Sequence, residues 1–129
     1  MPRPWAAAEF AELLEQRFSF LVADHPQAFA LGRAIAGEAE LLTIAVHPSA
    51  QGQGLGRATL AAFETQAVTR FQATEAMLEV AQTNIAARRL YEAAGFAQIG
   101  ERPDYYRDQT GARVTALIYR KAFTPRHGL

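Results

Sequence analysis

Past Pro4 and Trp5, the apolar residues Phe10, Leu13, Leu14 and Phe18 recur at helical spacing, with Glu9, Glu12, Glu15 and Gln16 on the other side. That pattern predicts a helix over about 6–17. The period then changes. Phe18–Ala23 reads as a strand, Asp24-His25-Pro26 as a turn, and Ala28–Ala36 as a second strand interrupted by Gly32. After a turn at Gly37-Glu38, Glu40–Val46 (ELLTIAV) is a nearly continuous apolar run, as expected for a strand covered on both faces. Three strands joined by short turns predict an antiparallel meander.

A loop over His47–Gln53 leads to a helical pattern from near Gly54, whose apolar stripe uses Leu60, Phe63, Ala67 and Phe71. A strand at Ala76–Ala81 (AMLEVA) follows, then a helix from about Ile85 to Ala94. Gly95 stands where a left-handed helix stop belongs, because glycine carries no Cβ penalty there. Phe96–Gly100 and Val114–Lys121 are the last predicted strands, separated by the polar stretch Asp104–Gly111. Two strand–helix–strand crossovers point to a mixed sheet covered by helices.

Composition narrows the function more than the fold. At 129 residues the chain fits one domain. Its 13 basic and 13 acidic residues cancel, so neither a nucleic acid nor an acidic membrane is an expected partner. The absence of cysteine excludes disulfides, zinc ribbons and a cysteine nucleophile. No apolar stretch approaches the ~20 residues of a membrane span, and MPRPWAAAEF lacks the apolar core of a secretory signal. A soluble cytoplasmic protein is expected. His25, His47 and His127 lack ligand spacing, so no metal is expected either.

The most informative segment is Gln51-Gly52-Gln53-Gly54-Leu55-Gly56-Arg57, which follows a strand and opens a helix. Glycines there let the backbone approach a ligand, and the first helical N–H groups have no internal partner. With the positive end of the helix dipole they make an anion site, to which Arg57 could add charge. A P-loop would end in Gly-Lys-Ser/Thr, and a dinucleotide fingerprint would put glycine where Arg57 stands. The bland alternative is a flexible glycine-bearing loop.

The pattern that fits, Gln-x-x-Gly-x-Gly, resembles the GNAT superfamily motif that holds the pyrophosphate of acetyl-coenzyme A. LLTIAV-HP before it, LEVAQTNIAARRLYEAAGF after it and DYYRDQTGA near the end resemble the RimI-like branch, enzymes that acetylate the N-terminal alanine of a small-subunit ribosomal protein. The resemblance covers roughly residues 4–123. It implies a mixed α/β, mostly antiparallel sheet flanked by helices, with acetyl-coenzyme A as cosubstrate. It further implies that the backbone of Ile44, Ala45 and Val46 faces the pantetheine arm and that Gln53 to Arg57 wrap the pyrophosphate. Gln51 and Gly52 belong to the same motif. Asn84 would contact the cofactor, cap the helix it starts, or do both.

Acetyl transfer to an amine needs a base, an oxyanion site and help for a departing thiolate. Strand alternation sets Met77, Glu79 and Ala81 on one face of Ala76–Ala81, and a carboxylate flanked by apolar positions is costly unless satisfied or employed. Glu79 is thus a candidate base; its alternative is a water-exposed strand end. Tyr91 could be an acid or plain core packing. RimI-like enzymes carry a glutamate base and a tyrosine acid at the matching positions, which implies both roles here. A backbone N–H on the strand ending at Val46 would meet the oxyanion. Tyr105 and Tyr106 could line a peptide groove, as in the family, or be surface aromatics. Arg88 and Arg89 could reach a phosphate or sit on a solvated helix face.

The resemblance departs in two places. The family's usual first strand and helix precede the Pro-Trp segment, and here only three residues precede Pro4. The exposed sheet edge expected from that calls for a cover, which a second copy in a homodimer could supply. Gly52 also replaces a basic residue common at that point. Acetylation of a small amine, or acyl-coenzyme A binding without catalysis, are the alternatives to a ribosomal N-terminus as acceptor.

Overall fold

The computed structural model describes residues 18–124, so the helix expected over 6–17 lies outside the described residues. In chain order come β1 (Ser19–His25), β2 (Ala28–Ile35), β3 (Glu38–Val46), a 3-10 turn (Pro48–Ala50), α1 (Leu55–Phe71), β4 (Glu75–Ala81), α2 (Ile85–Ala93), β5 (Ala97–Arg107) and β6 (Arg113–Ala122). Period-two burial runs through β4 up to Val80 and, save for buried Leu31, through β2, which fits strands with one face on a core. The strands form one sheet in the order β1-β2-β3-β4-β6-β5. Only β3 and β4 pair in parallel among these neighbours; the rest are antiparallel. This is the expected mixed sheet, with α1 making the crossover between its two parallel strands.

Both helices lie against one buried cluster. Leu60, Phe63 and Ala67 of α1 and Tyr91 of α2 share it with Phe20, Val22, Ala30, Leu41, Ala76, Leu78, Val80 and Tyr119 of the sheet. Phe20 stacks on Phe63 at 5.6 Å and is tilted against Phe71 at 5.0 Å. The odd residues Met77 and Glu79 of β4 are half-buried, while Ala76, Leu78 and Val80 are fully buried. Glu79 therefore sits on the sheet face opposite the helices.

Two expectations are corrected. β3 is not covered on both faces: Ala39, Leu41 and Thr43 are buried, but Ile44 and Val46 are half-buried and Ala45 is exposed. The register explains it. Gly32 pairs with Leu41 and Leu31 with Thr43, so Leu42 is an extra, bulged residue. The bulge inverts the alternation beyond it, which brings Ile44 and Val46 onto the helix side. The second correction concerns β5, which runs on to Arg107 where the polar sequence reads as a loop. β5 is an edge strand, where Pro103 is tolerated and apolar alternation is not required.

Candidate active site

The β3–β4 ladder is short. It joins Glu38 to Glu75, Ala39 to Ala76 and Glu40 to Met77, and then stops. Beyond it, among the described residues, β3 continues against β2 alone and β4 against β6 alone. The two strands part after Glu40, just before the bulged Leu42, leaving backbone edges that face each other without a ladder. Such an opening suits an extended ligand that supplies its own carbonyl and amide groups.

On the helix side of the split lies a cleft of about 470 Å³. Ile44, Ala45 and Val46 of β3 form one wall, Gln51, Gly52, Gly54, Leu55 and Gly56 a second, and Asn84, Leu90 and Tyr91 a third. Gly52 and Gly54 have φ of 81° and 79°, and a Cβ on either would meet nothing within 4 Å. Backbone conformation requires these glycines, and the space over them is open. The first bond of the α1 ladder runs from Ala58 N–H to the Gly54 carbonyl at 3.1 Å. The N–H groups of Leu55, Gly56 and Arg57 precede that ladder, at the positive end of the helix. Gln51 Nε2 donates to the Val46 carbonyl at 3.3 Å and ties the turn to β3. Gln53 and Arg57 lie outside the cleft lining, unlike the other residues of the motif. Asn84 has both expected placements: its Oδ1 accepts the Ala87 N–H at 3.2 Å, capping α2, and it lines the cleft.

Tyr91 is 1% exposed, packed edge-on against Phe96 and Tyr119 at 6.1 and 6.4 Å, yet it reaches the cleft wall. Burial pushes its phenol up to about 12. Glu79 faces a second cavity, about 300 Å³, on the other side of the sheet. Its side chain is 27% exposed, with Oε1 3.6 Å from Arg102 Nη1. Oε2 is buried and has no hydrogen-bond partner among the described residues. The carboxylate and the phenol thus flank the parted strands from opposite faces.

Tyr105 and Tyr106 lie on β5, not in a loop. Tyr106 lines a recess of about 180 Å³ with Ala81, Thr83 and Asn84. Its phenol is pushed up to about 12, first by burial and then by the charge of Glu79. Tyr105 is exposed beneath the Arg102 guanidinium, 5.2 Å from its ring centre. Arg88 does not reach toward the cleft. It donates to the Gln82 carbonyl at 3.0 Å and to the Tyr119 hydroxyl at 3.3 Å, while that hydroxyl donates to Glu92 Oε2 at 2.7 Å. These bonds fasten α2 to β6.

Neither Arg102 nor Tyr119 stands out in the sequence. Arg102 meets Glu79 only because β6 separates β4 from β5 in the sheet, and no local signal along the chain gives that order. Among the described residues no group of three His, Asp or Glu side chains could hold a metal ion, and no helix is long and apolar enough to cross a membrane.

The Gln-x-x-Gly-x-Gly resemblance implies a cleft between the end of a strand and a glycine-rich helix start, and Ile44–Val46 and the turn at Gln51–Gly56 wall one here. Residues 2–96 match the acetyltransferase (GNAT) family. The chain belongs to that family and is an enzyme of its acetyltransferase class. It is 38% identical over 118 residues to the ribosomal protein bS18-alanine N-acetyltransferase of Escherichia coli K12, covering 89% of this chain and 78% of that protein. It is 39% identical to the enzyme of the same name from Haemophilus ducreyi, where the match spans 74% of this chain and 65% of the relative, just under two thirds of its length. The crystal structure of the E. coli ribosomal-protein-S18-alanine N-acetyltransferase superposes with a TM-score of 0.83 at 32% identity, over 98% of this chain and 83% of that one.

Proposed function

We propose that residues 1–129 act as one acetyltransferase domain that moves the acetyl group of acetyl-coenzyme A to the α-amine of a protein N-terminus. The acceptor we assign is an N-terminal alanine of a ribosomal protein, the substrate in its relatives' names. One observation carries this reading: β3 and β4 part between a glycine-walled cleft and a carboxylate on the opposite face.

The cleft suits the donor. A diphosphate needs N–H donors and close approach, which the Leu55, Gly56 and Arg57 amides and the open space over Gly52 and Gly54 provide. Acetyl-coenzyme A supplies an activated acyl group as a thioester. Glu79 takes the proton that the acceptor nitrogen sheds as it bonds to the carbonyl carbon. N–H groups along the free edge of β3 receive the negative oxygen. Tyr91 is a weaker acid than an exposed tyrosine. At about 12, against ~8.5 for a thiol, handing its proton outright to sulfur is uphill by ~5 kcal/mol. Its hydroxyl therefore donates a hydrogen bond to the sulfur as the carbon–sulfur bond breaks. The proton removed by Glu79 balances the one the thiolate finally takes up.

An α-amine titrates near ~8 and is partly neutral at pH 7, whereas a lysine near ~10.4 is almost wholly charged. Mass spectrometry after incubation with acetyl-coenzyme A tests the acceptor. An alanine-starting peptide should gain one acetyl group at its N-terminus. Acetylation of small amines alone would reject the acceptor, and binding of the cofactor with turnover on no amine would reject catalysis.

A further inference from the structure

The Glu79 carboxylate is bound on one side only. Oε1 faces the Arg102 guanidinium at 3.6 Å, beyond hydrogen-bonding distance, and buried Oε2 faces no donor among the described residues. Arg102 is not locked there. Its side chain is 51% exposed and rests over the Tyr105 ring at 5.2 Å. It stands where the β5–β6 register breaks, between Arg102 opposite Ala116 and Tyr106 opposite Val114. The irregularity takes the residues after Arg102 out of the regular ladder with β6.

The other charges around this cavity leave Arg102 as the counter-ion. From β2 comes Arg33, which is bound to Glu40 of β3 at 2.8 Å. β3 also brings Glu38, exposed at the rim, and β4 brings Glu79. β5 brings Arg102 and, nearby, the Tyr106 phenol, while β6 lines the cavity with apolar Ile118. Among the described residues two guanidiniums thus stand against three carboxylates, and of the two only Arg102 stands beside Glu79.

A carboxylate with a vacant lone pair is a good base and an equally good trap. An amine enters mostly as its ammonium, and beside an unopposed carboxylate the ammonium would stay charged and could not attack. We propose that Arg102 is a positioning residue that acts as a built-in counter-cation to Glu79, keeping the bound acceptor from being held as an ammonium–carboxylate pair. The guanidinium offsets the carboxylate's field while leaving Oε2 open. The ammonium then gives its first proton to solvent, and the nitrogen lone pair faces the thioester. The second proton leaves during attack and goes to Glu79. This inference rests on Glu79 being the base.

The test is steady-state kinetics with an alanine-starting peptide and saturating acetyl-coenzyme A across pH 6–10, on variants matched for Tm. Arg102→Met should lower KM for the peptide and kcat together at pH 7, each by about tenfold, with kcat/KM little changed. The acid limb of kcat should move alkaline by about one pH unit. Arg102→Lys, which keeps the charge, should restore most of both. A merely structural role would not tighten acceptor binding. Unchanged kcat and KM in Arg102→Met, a raised KM, or an Arg102→Lys variant no better than Arg102→Met would each overturn the inference. Glu79→Gln is measured alongside. If it retains full turnover, the base assignment itself fails; if it is inactive while Arg102→Met behaves as wild type, only the counter-cation fails.

Discussion

Gly56 is the position where cofactor binding and folding can be pulled apart. It occupies the first turn of α1 and lines the cleft, and its φ is not in the left-handed region. A Cβ there would meet Leu90 Cδ2 at 3.6 Å and Val46 Cγ2 at 3.9 Å, both ordinary contacts. A side chain is therefore tolerated by the fold, and replacing glycine in a helix gains a few tenths of a kcal/mol or more. A carboxylate at the first turn also favours the helix dipole. Gly56→Glu should thus fold with an unchanged or slightly higher Tm.

Its effect on acetyl-coenzyme A should be large. Charges ~4 Å apart repel by about 1 kcal/mol in water and about 4 kcal/mol at an effective dielectric constant of ~20. The cleft is walled on three sides, so about 2 kcal/mol is the expected loss, or roughly 30-fold in Kd. Isothermal titration of acetyl-coenzyme A into wild type, Gly56→Ala and Gly56→Glu reads this directly. The alanine variant should bind within a few-fold of wild type. A Gly56→Glu protein with wild-type affinity and intact Tm would refute the idea that phosphate lies at this helix start.

Two other variants probe the core and the phenol. Gly32→Ala would place a Cβ 2.5 Å from Phe63 Cε1 and 3.1 Å from both Phe20 Cζ and the Glu40 carbonyl. Phe63 is fully buried and stacked, so the net cost should be about 1–2 kcal/mol after the chain-entropy gain, lowering Tm by roughly 3–10 °C in a thermal melt. Tyr91→Phe should lower kcat about tenfold with acetyl-coenzyme A affinity nearly unchanged. Because burial holds the Tyr91 phenol protonated up to about 12, wild-type kcat should show no alkaline decline from this group near the ordinary tyrosine value of ~10. A decline there that vanishes in Tyr91→Phe would contradict the burial argument.

Features that depend on neighbours along the chain are legible in the sequence. Alternation in Ala76–Ala81 puts Glu79 on the face away from Leu78 and Val80, and the structure has it there. The stripe of Leu60, Phe63 and Ala67 and the stop at Gly95, with φ of 100°, are equally local. What escapes is set by pairing between strands. Leu42 looks like any member of an apolar run, yet as a bulge it turns Ile44 and Val46 toward the cleft. β5 is misjudged beyond Gly100 because an edge strand need not alternate and can hold Pro103. The Glu79–Arg102 contact requires knowing that β5 lies beyond β6 across the sheet. The glycine motif marks the cleft from sequence, but only the three-dimensional arrangement puts Gln53 and Arg57 outside its walls.

The most direct test of the proposed cofactor site is amide-resolved NMR on the ¹⁵N-labelled protein titrated with acetyl-coenzyme A. The largest shifts are expected at the N–H groups of Leu55, Gly56 and Arg57 and along Ile44–Val46, with smaller ones in α2 near Asn84. Shifts confined to other surfaces, or none at saturating cofactor, would contradict a diphosphate held at the start of α1.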